Sequence, residues 1–289
     1  MTYRTRFAPS PTGPLHLGHA YSALLTFDMA QTARGAFLLR LEDIDQSRSR
    51  ASWETQIYDD LSWLGLHWPD PVLRQSENMD AYRKALKKLG DLGVLYRCYC
   101  ARRDIRAALN APQEGAEPVF GPDGLVYPGT CRDLDEAPEL GVAPAMRLDM
   151  AKAVEIIKRG PDTSLSFQEI GGDAARTVTF SEDELITRVG DVVLARRDMG
   201  TSYHLSVVVD DAAQRISHVI RGEDLFEATK IHVVIQHLLG LPAPIYRHHR
   251  LIRDDTGKRL AKRDDARAIA KFRQEGLRPE DIRQMVGLD

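Results

Sequence analysis

The sequence predicts an α/β protein: a doubly wound parallel sheet interrupted by an inserted α+β segment. Three observations point there. Strand-like runs alternate with amphipathic helical patterns up to about residue 95 and again after residue 200, the signature of βα units around a parallel sheet. The first run leads directly into His16-Leu17-Gly18-His19, where a strand-to-helix turn is due. From about Tyr96 to Gly200 the alternation fails, strands are weak, and clusters such as Gly121-Pro122-Asp123-Gly124 and Gly171-Gly172 punctuate the chain.

The elements follow in order. Thr2 to Phe7 alternates as a strand, Ala20 to Gln31 reads as a helix, and Gly35 closes it. Phe37 to Leu41 is an apolar strand with Glu42 just past its end. Apolar spacings of three and four predict helices over Ser52 to Leu64 and Asn78 to Leu92. Beyond the insertion, Val207-Val208-Val209 is a β-branched run, His218 to Ile220 another, and Glu227 to Leu239 a helix ended by Gly240 and Pro242. Short helices are expected at Ala266 to Gln274 and Pro279 to Val286. The expected units are 1–95 and 200–250 as two halves of a nucleotide fold, 96–199 as the insertion, and 251–289 as a loop with a helical tail. In such sheets ligands sit outside the carboxyl ends of the strands, which suits Glu42, Tyr203 and Arg221.

Two stretches carry chemistry. His16 and His19, three apart on the opening turn of a helix, share a face and can address one anion. Gly18 lets the backbone approach that anion, and the helix N-terminus adds unpaired N–H groups and partial positive charge. Near the other end, Thr256-Gly257-Lys258-Arg259-Leu260-Ala261-Lys262-Arg263 is a glycine-hinged basic loop able to close over the same anion. Between Arg247 and Arg263 there are seven Lys/Arg against two Asp. Alone, either stretch reads equally as a surface turn or a solvated basic face. Together they read as a nucleotide-triphosphate site.

Here the sequence resembles a known family. Arg6-Phe7-Ala8-Pro9-Ser10-Pro11-Thr12-Gly13 with His16 to His19 looks like the HIGH signature of class I aminoacyl-tRNA synthetases in its glutamyl form. Arg40-Leu41-Glu42-Asp43-Ile44-Asp45, Tyr203 to Asp211, and His218 to Asp224 match further motifs of that group, and Arg259 to Arg263 stands where its KMSKS loop belongs. The resemblance runs over essentially the whole chain and implies a Rossmann-type catalytic domain. By that analogy His16, His19 and Lys262 stabilise the phosphates of ATP, with Gly18 and Arg259 also at the nucleotide and Mg²⁺ accompanying it. Arg6 and Arg221 are candidates for the carboxylates of L-glutamate, since a guanidinium binds a carboxylate through two parallel bonds. Glu42 would take the α-ammonium, while Ser10 and Tyr203 supply hydroxyls. A structural salt bridge is the alternative for each arginine. Ala261 replaces the usual loop serine and Arg259 its first lysine, so one hydroxyl contact worth about 0.5–1.5 kcal/mol is lost while the charges survive.

All three cysteines, Cys98, Cys100 and Cys131, lie in the insertion. An odd number argues against a disulfide scaffold. Three soft ligands ask for a fourth in a closed zinc site; no histidine lies between 98 and 131, and Tyr127 can offer an oxygen. Three buried free thiols are the other reading. The CxC…YxxxC pattern resembles the zinc site of glutamyl-Q tRNA(Asp) synthetases, which implies one structural Zn²⁺. A net charge of −3 leaves nucleic-acid contact to local patches. No apolar run approaches the ~20 residues of a membrane span, and no signal peptide precedes the first strand, so a cytoplasmic monomer is expected.

Only 26 residues follow Arg263, where a full glutamyl enzyme continues into an anticodon-binding region. The expectation is therefore the truncated glutamyl-Q tRNA(Asp) branch. Its members activate glutamate with ATP without tRNA and esterify queuosine at the wobble position of tRNA(Asp). The alternatives are a minimal glutamyl-tRNA synthetase charging a 3′ end, and a catalytically inactive RNA- or nucleotide-binding module.

Overall fold

The computed structural model of the protein describes residues 2–110, 118–134, 141–171, 174–253 and 267–288. Its elements in chain order are β1 (Arg4–Phe7), α1 (Leu17–Thr32), β2 (Ala36–Leu41), α2 (Ala51–Trp63), β3 (Leu73–Arg74), α3 (Met79–Asp91) and β4 (Leu95–Cys98). Next come α4 (Arg102–Asn110), the hairpin β5 (Phe120–Gly121) and β6 (Gly124–Leu125), β7 (Ala145–Leu148), α5 (Met150–Arg159), β8 (Ser166–Gly171) and β9 (Ala174–Thr179). The single turn α6 (Glu182–Glu184), β10 (Val193–Ala195), α7 (Tyr203–Ala213), β11 (His218–Gly222), α8 (Thr229–Leu239), β12 (Ile245–His249), α9 (Ile269–Gln274) and α10 (Pro279–Val286) complete it.

Two parallel half-sheets meet at one seam. β1, β2 and β3 pair in that order, and β11 pairs with β12, which pairs with β8; β9 adds an antiparallel edge. At the seam the Ser217 amide donates to the Arg4 carbonyl at 2.9 Å and the Arg4 amide to Ser217 Oγ at 2.8 Å. From β1 the chain runs outward one way to β2, and from β11 the other way to β12. This is a topological switch point, the place where doubly wound sheets bind ligands. Part of the stretch expected as an insertion departs from that reading: Ser166–Gly171 hydrogen-bonds alongside β12, where it shares the buried apolar layer of the second half-sheet. Apart from β9, which pairs with β8, the remaining strands of the stretch form an antiparallel sheet, β10-β7-β4, and the separate β5-β6 hairpin.

Helix boundaries follow the predicted periodicities closely, with two instructive differences. α1 begins at Leu17 rather than Ala20, because His16 itself caps it. Val207-Val208-Val209 lies inside α7, not in a strand. That helix is buried on nearly all sides, and an apolar run long enough for either element cannot be assigned by periodicity alone. Gly35 is where expected for a different reason: a Cβ there would lie 2.3 Å from the Tyr3 carbonyl oxygen, while Arg34 takes the left-handed turn at φ 50°.

One apolar cluster is built by α5, α7 and α8 against β8 and β12, the other by α1, β1, β2 and the C-terminal helices. The C-terminal segment returns to the first turn. Ala268 bridges His16, and the Ile269 amide donates to the Leu15 carbonyl at 2.9 Å. α10 then packs along α1, with Arg283 paired to Asp28 at 2.6 Å. Among the described residues no helix is long and apolar enough to cross a membrane.

Candidate active site

The histidine turn is held by a reciprocal cap. His16 Nδ1 accepts from the Gly18 amide at 3.1 Å, and His19 Nδ1 accepts from the His16 amide at 3.1 Å. The rings lie together, with centroids 3.8 Å apart. Because both Nδ1 atoms are acceptors, both Nε2 atoms carry the proton, so each imidazole is fixed as a donor through Nε2. The role expected for Gly18 changes with this geometry. A Cβ there would sit 3.0 Å from His16 Cε1 and 3.2 Å from Nδ1, so the glycine makes room for the histidine ring. Arg259 and Lys262 lie outside the described residues. The segment that follows them is bound to the turn through Ala268.

At the sheet's switch point the expected glutamate residues converge. Arg6, at the end of β1, forks onto Asp211, with Nε to Oδ1 at 2.9 Å and Nη2 to Oδ2 at 3.3 Å. Arg40, fully buried in β2, reaches the same Asp211 Oδ1 at 2.7 Å and Glu42 Oε1 at 3.3 Å, and approaches Asp210 at 3.9 Å. Asp210 is further held by Gln75, Asn78 and Tyr82. Burial would raise the Asp211 carboxyl, but Arg6 and Arg40 hold it below the ordinary range. Burial pushes Glu42 up, with Arg40 and Arg6 opposing. Burial also raises the Tyr203 hydroxyl, where the fields of Arg221, Glu42, Arg6 and Asp211 all act. Ser10 lies on the turn after β1, next to Pro9, whose carbonyl accepts from the Glu42 amide at 3.0 Å.

Arg221 is placed differently from Arg6. It is buried at 5% exposure, and among the described residues no carboxylate lies within ion-pair distance of it. Its partners are neutral acceptors: His248 Nε2 at 3.1 Å, His232 Nδ1 at 3.1 Å, Thr229 Oγ1 at 2.6 Å and the Leu225 carbonyl at 3.2 Å. A guanidinium has five N–H donors, so one on Nη1 remains.

The charges can be summed. Arg6 and Arg40 face Asp210, Asp211 and Glu42, an excess of one negative charge, while Arg221 has no carboxylate in direct contact, Glu169 standing beyond His248. Buried charge without a direct counter-ion is costly, and a ligand carrying both an ammonium and a carboxylate would relieve both places.

Next to Tyr203 opens a cavity of about 890 Å³, lined also by Cys98, Cys100, Arg147, Asp123 and the basic pair Arg102 and Arg106. Cys98 and Cys100 in its wall meet Cys131 behind them, the three sulfurs lying within 4.8 Å of one another. Tyr127 Oη is 3.5 Å from Cys98 Sγ, 3.3 Å from Cys100 Sγ, and accepts from the Cys131 amide at 2.9 Å. Arg147 stacks on the Tyr127 ring at 3.9 Å. Three sulfurs and one oxygen converging from a short strand and a nearby turn form a cluster that could hold a metal ion, and the donor set fits tetrahedral zinc.

Sequence reasoning missed Arg40, Asp210, Asp211, His232, His248 and Glu169. Arg40 carried a readable signal, since an arginine inside Ala-Phe-Leu-Leu-Arg-Leu must meet an acid if that strand is central. The two buried histidines carried none.

Comparison with known proteins agrees with this geometry. The family model of class I tRNA synthetases (E and Q), catalytic domain, matches residues 2–121 and 168–288. A glutamyl-Q tRNA(Asp) synthetase of Rhodobacter capsulatus is 58% identical over 287 residues, covering 98% of this chain and 99% of the relative. One from Prochlorococcus marinus is 39% identical over 282 residues, covering 97% and 79%. Among solved structures, a glutamate tRNA ligase from Elizabethkingia meningosepticum in complex with its amino acid superimposes with a TM-score of 0.72 at 27% identity. That match covers 99% of this chain, which spans only 60% of the solved ligase. With the family model matched over most of its length and a near-full-length relative at 58% identity, the chain is an enzyme of the class I aminoacyl-tRNA synthetase family and belongs to its glutamyl-Q tRNA(Asp) synthetase branch.

Proposed function

We propose that this enzyme activates L-glutamate with ATP in the absence of tRNA and transfers the glutamyl group to queuosine at the wobble position of tRNA(Asp). The observation that carries the amino-acid half is the acidic excess around Glu42 together with a buried Arg221 that has no carboxylate in direct contact. Arg221 takes a substrate carboxylate through its remaining Nη1 donor, Glu42 and its acidic neighbours take the α-ammonium, and Tyr203 and Ser10 add hydroxyl contacts. Arg6, already neutralised by Asp211, contributes direction more than charge.

In the first step an oxygen of the glutamate α-carboxylate attacks the α-phosphorus of ATP, the bond to the β-phosphate oxygen breaks, and pyrophosphate leaves. Positioning and charge stabilisation carry such a step. The fixed Nε2–H donors of His16 and His19, with Lys262 and Arg259 from the loop and Mg²⁺ bound with ATP, would meet the developing charge. In the second step a queuosine hydroxyl attacks the glutamyl carbonyl, AMP leaves, and an ester remains. The cavity beside Tyr203, with Arg102 and Arg106 on its rim, has room for a nucleotide there. Cys98, Cys100, Cys131 and the Tyr127 oxygen would hold one structural Zn²⁺, which would order the wall of that cavity.

The test uses radiolabelled glutamate and two pools of tRNA(Asp), one with queuosine and one with guanosine at the wobble position. Label is expected only with queuosine, surviving removal of the 3′-terminal adenosine and lost when periodate cleaves the queuosine diol beforehand. Stable charging of tRNA(Glu) at its 3′ end would overturn the acceptor assignment. Absence of glutamate-dependent ATP–pyrophosphate exchange without tRNA would overturn the activation step.

A further inference from the structure

Arg221 sits at the end of an ordered hydrogen-bond chain that the reaction as described does not use. A guanidinium only donates, so His232 Nδ1, 3.1 Å from Nη1, must be the acceptor. His232 Nε2 then carries the proton and donates to His204 Nδ1 at 3.2 Å. That in turn sets His204 Nε2 as a donor, and it faces Asp123 Oδ1 at 3.5 Å on the β5-β6 hairpin. A second arm has the same logic. His248 Nε2 accepts from Arg221 Nε at 3.1 Å, and Nδ1 donates to Glu169 Oε2 at 2.8 Å. His232 is 2% exposed and His204 7%.

The choice of imidazole here has a chemical consequence. A carboxylate in place of His232 would hold the guanidinium equally well, but it would cancel the positive charge and compete with any substrate carboxylate. A neutral acceptor aims the guanidinium and leaves it without a carboxylate in contact. The acids that complete the two arms, Asp123 and Glu169, are each kept at least one imidazole away. We propose that His232, whose Nε2–H is held by His204, is a positioning residue for Arg221 and a determinant of preference for an acidic substrate. This rests on the reading of Arg221 as the clamp for a glutamate carboxylate.

Two nearly isosteric variants separate aim from charge. His232→Asn keeps a neutral acceptor towards Arg221, whereas His232→Asp puts a carboxylate in the same place. In glutamate-dependent ATP–pyrophosphate exchange, the Asp variant is expected to raise the KM for glutamate about 10- to 100-fold, the range for losing one charge-assisted contact. Its KM for ATP should stay within about twofold, and its preference for glutamate over glutamine should fall by the same factor as glutamate binding. The Asn variant should remain within about threefold of wild type for both substrates. If the Asp variant does not fold, His232→Leu tests the aiming role instead: it removes the acceptor without adding a charge, and the KM for glutamate should rise while that for ATP stays within about twofold. An Asn variant as impaired as the Asp variant, or parallel rises in both KM values, would overturn the proposal. Arg221→Ala distinguishes the two levels: if it leaves the glutamate KM unchanged, the site reading falls as well. If it raises that KM while His232→Asp and His232→Leu do not, only the role of His232 is lost.

Discussion

Gly18→Ala tests whether the histidine turn acts through ring position rather than through helix stability. The added methyl would meet His16 Cε1 at 3.0 Å and Nδ1 at 3.2 Å, where carbon contacts normally sit at about 3.5–4.0 Å. The imidazole must therefore retreat by about 0.5–1 Å or swing off its cap. Losing the Gly18 amide to His16 Nδ1 bond costs about 0.5–2 kcal/mol of helix stability. Replacing glycine by alanine within a helix returns up to about 1 kcal/mol, so the net change in unfolding free energy should be within about 1 kcal/mol. The effect on rate is not offset in this way. A misplacement near 1 Å of a group that meets the transition state costs up to about 100-fold. The variant should thus unfold within a few degrees of wild type, by about 4 °C per kcal/mol or less for a chain of this size. Its ATP–pyrophosphate exchange with glutamate should fall about 10- to 100-fold in kcat. Exchange at the wild-type rate would refute the idea that His16 acts from this ring position, and a collapse of stability with the rate would refute the separation of the two effects.

Three further outcomes follow from residues elsewhere in the chain. Lys262→Ala should lower exchange by about 10²–10³, the usual loss for one preorganised charge contact to a transition state; a wild-type rate would remove the basic loop from the chemistry. Cys98→Ser should lower the zinc content of protein purified without chelator and lower its thermal stability, and elemental analysis finding no zinc in wild type so prepared would refute the metal site. Asp60 of α2 is 1% exposed with Oδ2 unpartnered, and burial pushes its carboxyl up to about 6 against the pull of Arg273. The folded state therefore binds the proton more tightly than the unfolded chain, so the penalty is full above pH 6 and fades as pH falls towards 4. Asp60→Asn should stabilise the protein at pH 7–8 by at most about 3 kcal/mol, with the gain vanishing near pH 4; a gain independent of pH would mean that packing, not ionisation, is responsible.

The pattern of these residues explains what could be read before any coordinates. Residues whose placement is local were legible: the strand-to-helix turn at His16, though not its cap, the pairing of Cys98 with Cys100, and Glu42 just past an apolar strand. Their neighbours along the chain state where they sit. Asp211 was not, because its role as the shared counter-ion of Arg6 and Arg40 depends on three elements meeting at the seam. Val207 to Val209 misled for a related reason. β-branching favours strands where one face is solvated, and a helix buried on all sides imposes no such alternation. His232 reads as an ordinary member of the expected helix and His248 as part of the basic stretch that begins at Arg247, until Arg221 is seen lying between them.

The bridge between His16 and Ala268 also bears on when the enzyme becomes an enzyme. The Leu15 carbonyl, on the turn that holds both histidines, receives its hydrogen bond from Ile269, nearly the whole chain away. α10 then clamps the helix that turn begins. Contacts of such long sequence separation close late, after the loop entropy between them has been overcome. A nascent chain still on the ribosome could form the first half-sheet and even bury much of its apolar layer, yet its histidine turn would lack the bridge to Ala268 that borders it. The turn is thus completed only after residue 269 has been made, when almost every other element of the fold is already in place.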